Sequence, residues 1–201
     1  MLCPSTPLSN CARGFTLIEM LVVITISAIL LAVGVPMFNA SIASARASDA
    51  ANSLKGAIEL AASTANGPRG LAVSACRVAN PAATPPVCDM AAVGNYASGD
   101  WAAGWVVFVE ANAAGALGVI DAGDEILQVQ QAFQAAGVQH PEILGAGGPV
   151  ASITFNAAGD RVGGGGINSF NIVYPQAAAG TAVARRTLTL TIKGQVSVVR
   201  N

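Results

Sequence analysis

The chain has 201 residues and a mass of 20.0 kDa, room for one ordinary domain and an appendage, which excludes a large multidomain enzyme. Hydrophobic residues make up 53% of it and charged residues only 10%, too apolar for intrinsic disorder and poor in groups for electrostatic recognition, so membrane contact is the first expectation. A formal net charge of −1 excludes a broad attraction to nucleic acid, and a single histidine excludes sites built from several imidazoles.

The apolarity is concentrated near the start. Residues 1–14 are short and mostly polar, with Arg13 their one basic residue, and residues 15–35 then carry a single charge, Glu19. As a helix rising 1.5 Å per residue, this run spans roughly 30 Å, about the thickness of a bilayer's hydrocarbon core. An ordinary secretory signal places its apolar stretch ahead of a small-residue cleavage site, whereas here the run follows the polar leader. Arg13 on the leading side puts the N-terminus in the cytoplasm and everything after residue 35 outside it. An ionised Glu19 inside a membrane costs roughly 2.5–3.5 kcal/mol or more, so it either snorkels to the headgroups or finds a partner.

Beyond residue 36 the pattern turns amphipathic. Ala47, Ala50, Ala51, Leu54, Ile58 and Ala61 recur at helical spacing, while Arg46, Ser48, Asp49, Asn52, Lys55 and Glu59 fill the other faces. Asn66-Gly67-Pro68 ends the pattern, so one helix is expected over residues 15–66, its second half packing on a sheet. The remainder reads as short strands at residues 71–77, 105–110, 125–131, 152–155, 170–174, 186–192 and 195–199, separated by Gly, Pro and Asn. The clearest alternation sets Leu188, Leu190 and Ile192 against Thr187, Thr189 and Thr191, and Lys193-Gly194 is read as a tight hairpin. Helices and strands do not alternate, which excludes a doubly wound nucleotide fold.

Gly14-Phe15-Thr16-Leu17-Ile18-Glu19-Met20-Leu21, between a short leader and an apolar helix, resembles the processing and assembly motif of type IV pilins and type II secretion pseudopilins. The resemblance implies an α+β, type IV pilin-like fold, with a leader at 1–14, a long N-terminal helix at 15–66 and an antiparallel β-sheet head at 67–201. It also implies cleavage by a prepilin peptidase after Gly14, N-methylation of Phe15, and assembly into a filament with other pilins or pseudopilins. Glu19 would then pair with the terminal amine of a neighbouring subunit, since two neutralising charges in an apolar bundle avoid separate desolvation penalties. Pro36 matches a family proline that breaks or bends the stem. In the head, Cys76 and Cys88, the run 101–108 (WAAGWVVF), the run 121–127 (DAGDEIL), and Ile153-Thr154-Phe155 with Gly159 are similar to minor pseudopilins of the GspH type and minor pilins of the FimT type. Two departures stand out: a long Pro-rich loop at 80–87, and Gly194-Gln195 where the family carries Gly-Arg.

Cys3 and Cys11 would leave with the leader. Cys76 and Cys88 flank the Pro-rich loop in a part expected outside the cytoplasm, which favours a disulfide between them, stabilising by about 3 kcal/mol. No metal or cofactor is expected, since two cysteines and one histidine cannot complete a four-ligand zinc site. Asp121, Asp124 and Glu125 lack EF-hand spacing and read as an acidic hairpin turn rather than a calcium loop. The glycine run 163–166 has no P-loop lysine, and His140 has no accompanying nucleophile. Trp101 and Trp105 are expected in the core or at its rim.

A nonenzymatic minor pilin or pseudopilin is therefore expected. It would be a single-pass inner-membrane protein with its head in the periplasm, later part of a pilus or pseudopilus. The alternative is a DNA-binding minor pilin using Arg185, Arg186, Lys193 and Arg200 on the terminal hairpin to contact phosphates.

Overall fold

The computed structural model describes residues 15–111, 115–133, 140–162, 168–174 and 184–201. They belong to two compact units, Met1–Phe38 and Asn39–Asn201.

Helix α1, Leu17–Ala65, lies within one residue or two of the bounds expected from sequence. It continues helically through position 36, so Pro36 does not break it. A proline inside a helix forfeits one hydrogen bond without obliging the chain to stop. In the first unit the helix has no buried face: Leu17, Ile24, Ile29, Leu30 and Leu31 are all more than 60% exposed. The helix is long and apolar enough to cross a membrane. In the second unit it acquires an inside. Ala43, Ala47, Ala50, Ala51, Leu54, Ala57, Ile58, Ala61 and Ala65 are buried, a stripe of mostly small side chains at three- and four-residue spacing that lets strands approach closely. Past its end, the Gly67 amide donates to the Thr64 carbonyl at 3.0 Å, closing the last turn where Gly-Pro was expected to stop it.

Among the described residues eight strands form two four-stranded sheets: β1 (Val73–Arg77), β2 (Trp105–Val109), β3 (Glu125–Gln130), β4 (Glu142–Gly145), β5 (Ser152–Phe155), β6 (Ser169–Tyr174), β7 (Ala184–Leu190) and β8 (Val196–Arg200). The orders are β3-β2-β1-β5 and β4-β6-β7-β8, and every pairing is antiparallel. In the first sheet, Val73 stands opposite Val109 and Ala75 opposite Val107, which puts them on one face with Ile153 and Phe155. In the second sheet Phe170, Ile172, Leu188 and Leu190 do the same, and both sets meet the helix in one core with Trp101 and Trp105. Each fully buried Leu, Ile or Phe there contributes about 1.5–3 kcal/mol. The other face of the first sheet is covered too: Cys76, Val78, Val106 and Phe108 form a second, smaller core against Cys88 and Ile120.

Three details differ from expectation. A strand at Glu142–Gly145 was not anticipated; it is four residues long with one fully buried side chain, Ile143, and pairing with β6 makes it a strand. Strand β7 ends at Leu190, and Ile192 is 64% exposed in the turn rather than aligned with Leu188. The terminal hairpin is present, but its connection runs over residues 191–195 instead of turning on Lys193-Gly194 alone. The Thr191 amide donates to the Gln195 carbonyl at 3.0 Å, the Gly194 amide to the Thr191 carbonyl at 3.2 Å, and the Gln195 amide to Thr191 Oγ1 at 3.0 Å.

Candidate functional site

The apolar segment begins with an ordered cap. The Glu19 carboxylate accepts from the Thr16 amide and from Thr16 Oγ1, both at 3.0 Å, while the Glu19 amide donates back to Thr16 Oγ1 at 3.3 Å. This is the reciprocal capping box, in which two N–H groups that a helix start would leave orphaned are both satisfied. The negative charge also sits in the first turn, where the helix dipole favours it. Glu19 thus has a local partner, and the Thr-x-x-Glu spacing that provides it was visible in the sequence but not used. Phe15 is 78% exposed, Gly14 lies outside the described residues, and Pro36 lies within α1.

Cys76 and Cys88 form a disulfide, with 5.6 Å between their Cα atoms. Cys76 is fully buried on β1, and the Pro-rich loop returns to it as the bridge Val78↔Cys88. The bond therefore fastens residues 78–88 over the second core.

The acidic turn is internally occupied. One Asp124 oxygen accepts from the Ala111 amide at 2.9 Å and the other from the Asp121 amide at 2.8 Å, and Glu125 pairs with Arg69. Among the described residues no group of three or more potential metal ligands comes together. Below the turn, Glu110 is buried, with Ser74 Oγ donating to Oε1 at 2.5 Å and the Gly118 amide at 2.7 Å. Burial pushes the Glu110 carboxyl upward; the two donors oppose that, and Asp124 and Asp121 add to it. The glycine run 163–166 lies outside the described residues.

The four basic residues of the terminal hairpin do not make one surface. Arg186 is 8% exposed and points inward with Leu188 and Leu190. Its Nη2 donates to Ser44 Oγ at 3.0 Å and Ser48 Oγ at 2.9 Å, so its charge is spent on the helix. Arg185, next along an alternating strand, takes the opposite face. Arg200 stands across from Arg186 at one end of the hairpin. Lys193 is in the turn at the other end, paired with Asp160 at 2.6 Å. The expectation of a four-cation phosphate-binding face fails on this geometry, because alternation and burial separate its members.

Trp101 and Trp105 are fully buried, and Trp101 Nε1 donates to the Val150 carbonyl at 2.9 Å. Trp101 begins the 3-10 turn Trp101–Ala103, capped by Asp100, which is itself fully buried. Asp100 was not singled out from sequence; an Asp ahead of Trp-Ala-Ala is the cap signal that was available.

The family model for the prokaryotic N-terminal methylation motif matches residues 9–35. The family model for type II transport protein GspH matches residues 50–195. Among solved structures, the type IV minor pilin FimU of Pseudomonas aeruginosa is similar at 15% sequence identity and a TM-score of 0.45, over 76% of this chain and 87% of that one. No curated protein matches the chain. With the GspH match running over most of its length behind the methylation motif, the chain belongs to the GspH family of type II transport proteins, the minor pilins and pseudopilins.

Proposed function

We propose that this protein is a nonenzymatic structural subunit, cut after Gly14 by a prepilin peptidase and carried by residues 15–35, first in the inner membrane and then among the stems of other pilins or pseudopilins, with residues 67–201 as a periplasmic head. The observation that carries the reading is the apolar helix in the first unit: it buries nothing of its own, and Glu19 is its one charge. Such a surface needs either lipid or other apolar helices around it. In that setting Glu19 leaves its local cap to meet the amine that cleavage creates on Phe15 of a neighbour, and a buried ion pair of this kind sets axial register more than it adds stability. The disulfide and the double core keep the head rigid while the stem exchanges surroundings.

Mass spectrometry of the protein from its native host tests processing directly. The expected N-terminus is a methylated Phe15. Glu19→Ala should leave processing and head folding unchanged and reduce entry into filaments at least about a hundredfold, a loss the size expected when one buried charge is left without its partner. Recovery of a chain that still begins at Met1 within filaments, or normal filament entry of Glu19→Ala, would overturn the assignment.

A further inference from the structure

Among the described residues three buried side-chain atoms have no hydrogen-bond partner within the protein: Arg77 Nη2, Trp105 Nε1 and Asp100 Oδ2. Their residues are fully buried, and they are neighbours. Strand β1 sets Arg77 directly opposite Trp105 on β2, and cross-strand partners of this kind share a face with Cβ atoms about 4.5–5.5 Å apart. Arg77 reaches Asp100 as well. Its Nε donates to the Asp100 carbonyl oxygen at 3.2 Å, while Nη1 donates to that of Asp89 at 2.7 Å. Asp100 caps the 3-10 turn that begins with Trp101, whose ring lies 6.4 Å from that of Trp105. The three atoms therefore belong to one cluster, where β1, β2 and that turn meet.

The other polar groups of the cluster are already committed. Asp100 Oδ1 accepts from the Ala102 amide at 2.9 Å and the Ile143 amide at 2.8 Å. His140 Nδ1, 3.9 Å from Oδ2, is beyond hydrogen-bond reach. The Tyr96 hydroxyl gives its hydrogen to the Phe133 carbonyl at 2.7 Å, and the Phe133 ring packs on Trp105 at 5.7 Å. Among the described residues Arg77 and Asp100 form no direct ion pair; the guanidinium meets Asp100 through the backbone carbonyl alone. Opposite charges are thus enclosed together without touching. Bare buried polar atoms are costly and bare buried charges more so, which is why native interiors satisfy them with protein groups or ordered water. Two of the three atoms only donate and the third, a carboxylate oxygen, accepts. The guanidinium repels a cation and the carboxylate repels an anion. A water molecule accepts two hydrogen bonds and donates two, and buried waters make about three, at about one water per 27 residues.

We propose that Arg77, Trp105 and Asp100 bind a single internal water, which accepts from Arg77 Nη2 and Trp105 Nε1 and donates to Asp100 Oδ2. The water links the cation on β1 to the carboxylate that caps the 3-10 turn and holds the Ile143 amide of β4. It joins the two sheets at a point where no side chain of one reaches the other directly. The inference is independent of the filament assignment.

The chain's two tryptophans supply the test and its control. The full chain is labelled with 15N and studied in detergent micelles at neutral pH. Trp105 Nε1–H should show a cross-peak to the water resonance, opposite in sign in NOE and ROE spectra as a long-lived bound water gives, and so should the Arg77 Nη protons. Trp101 Nε1–H, equally buried but donating to the Val150 carbonyl at 2.9 Å, should show none. Trp105→Phe identifies the indole signal by its loss and should keep the cross-peak at Arg77, since Nη2 and Asp100 Oδ2 still hold the water. Tyr96→Phe should keep the cross-peaks at both sites, which separates bound water from relay through the tyrosine hydroxyl. Exchanging chloride for nitrate at constant ionic strength should leave the Trp105 indole shift unchanged. Absence of the cross-peak at Trp105 or Arg77, an equal one at Trp101, its loss in either variant at a site that remains, or an indole shift that follows the anion would overturn the shared water.

Discussion

Arg186 illustrates how a residue's chemistry depends on its slot. From composition it belonged to a basic hairpin; in the fold it takes an inward position between Leu188 and a face of α1, where Ser44 and Ser48 receive its Nη2. Hydrogen bonds to a charged group contribute about 1.5–3 kcal/mol, so Arg186→Gln should destabilise the head by about 2 kcal/mol and lower its thermal midpoint by about 5 °C. Paired with Ser48→Ala it should be clearly non-additive in a double-mutant cycle, since the two share one contact. Glu110 makes a prediction of the other kind. Its folded carboxyl is raised above its unfolded value chiefly by burial, so its contribution is fully present below the unfolded value and is lost as pH rises through the folded one. Glu110→Gln retains an acceptor for Ser74 and Gly118 but cannot titrate. Denaturant unfolding between about pH 4 and 7 should therefore show a decline with pH in the parent that is shallower in the variant.

At the scale of elements, legibility followed periodicity. The helix was readable because its small apolar residues recur at helical spacing and a Gly-Pro stop follows, and β7 because it alternates. Strand β1 was readable despite lacking alternation, being buried at all five positions between two cores. Strand β4 was not, because Asp100 Oδ1 holding the Ile143 amide and pairing with β6, both distant in sequence, define it. The hairpin turn was found but its length misjudged, since the inward set ends at Leu190 and sequence alternation continues into a turn that no sheet enforces. Close packing fixes that turn. A Cβ on Gly194 would lie 2.4 Å from Ala62 Cβ and 3.0 Å from Phe155, and the backbone there has φ +71°. Gly194→Ala combines a clash against the helix with a left-handed backbone penalty, and should cost about 2–3 kcal/mol. Circular dichroism melts would read the loss; an unchanged midpoint would mean that the turn is free to move off the helix.

At the scale of the whole molecule, the candidate site was legible in one half and not in the other. The N-terminal octapeptide identified itself because its function resides in local residues, and the match at residues 9–35 accords with that. The basic hairpin misled because a shared surface depends on faces, burial and pairing, none of which a list of cations contains. The two units also differ in what they need from their surroundings. The described core side chains begin at Ala43, all within Asn39–Asn201, whereas residues 17–35 bury nothing in a single chain. Hydrophobic stabilisation of the head is proportional to the area it buries by itself, and its described core side chains all lie within residues 43–196. A chain comprising residues 39–201 should therefore be soluble without detergent, keep the Cys76–Cys88 disulfide, and unfold within about 3 °C of the full chain, a shift below 1 kcal/mol for a domain of this size. It retains Ser44 and Ser48, so Arg186 keeps its partners. Calorimetry of the two proteins side by side decides the matter: a truncated chain that aggregates or melts far lower would mean that the apolar segment stabilises the head, and that its exposed face is not reserved for lipid or other subunits.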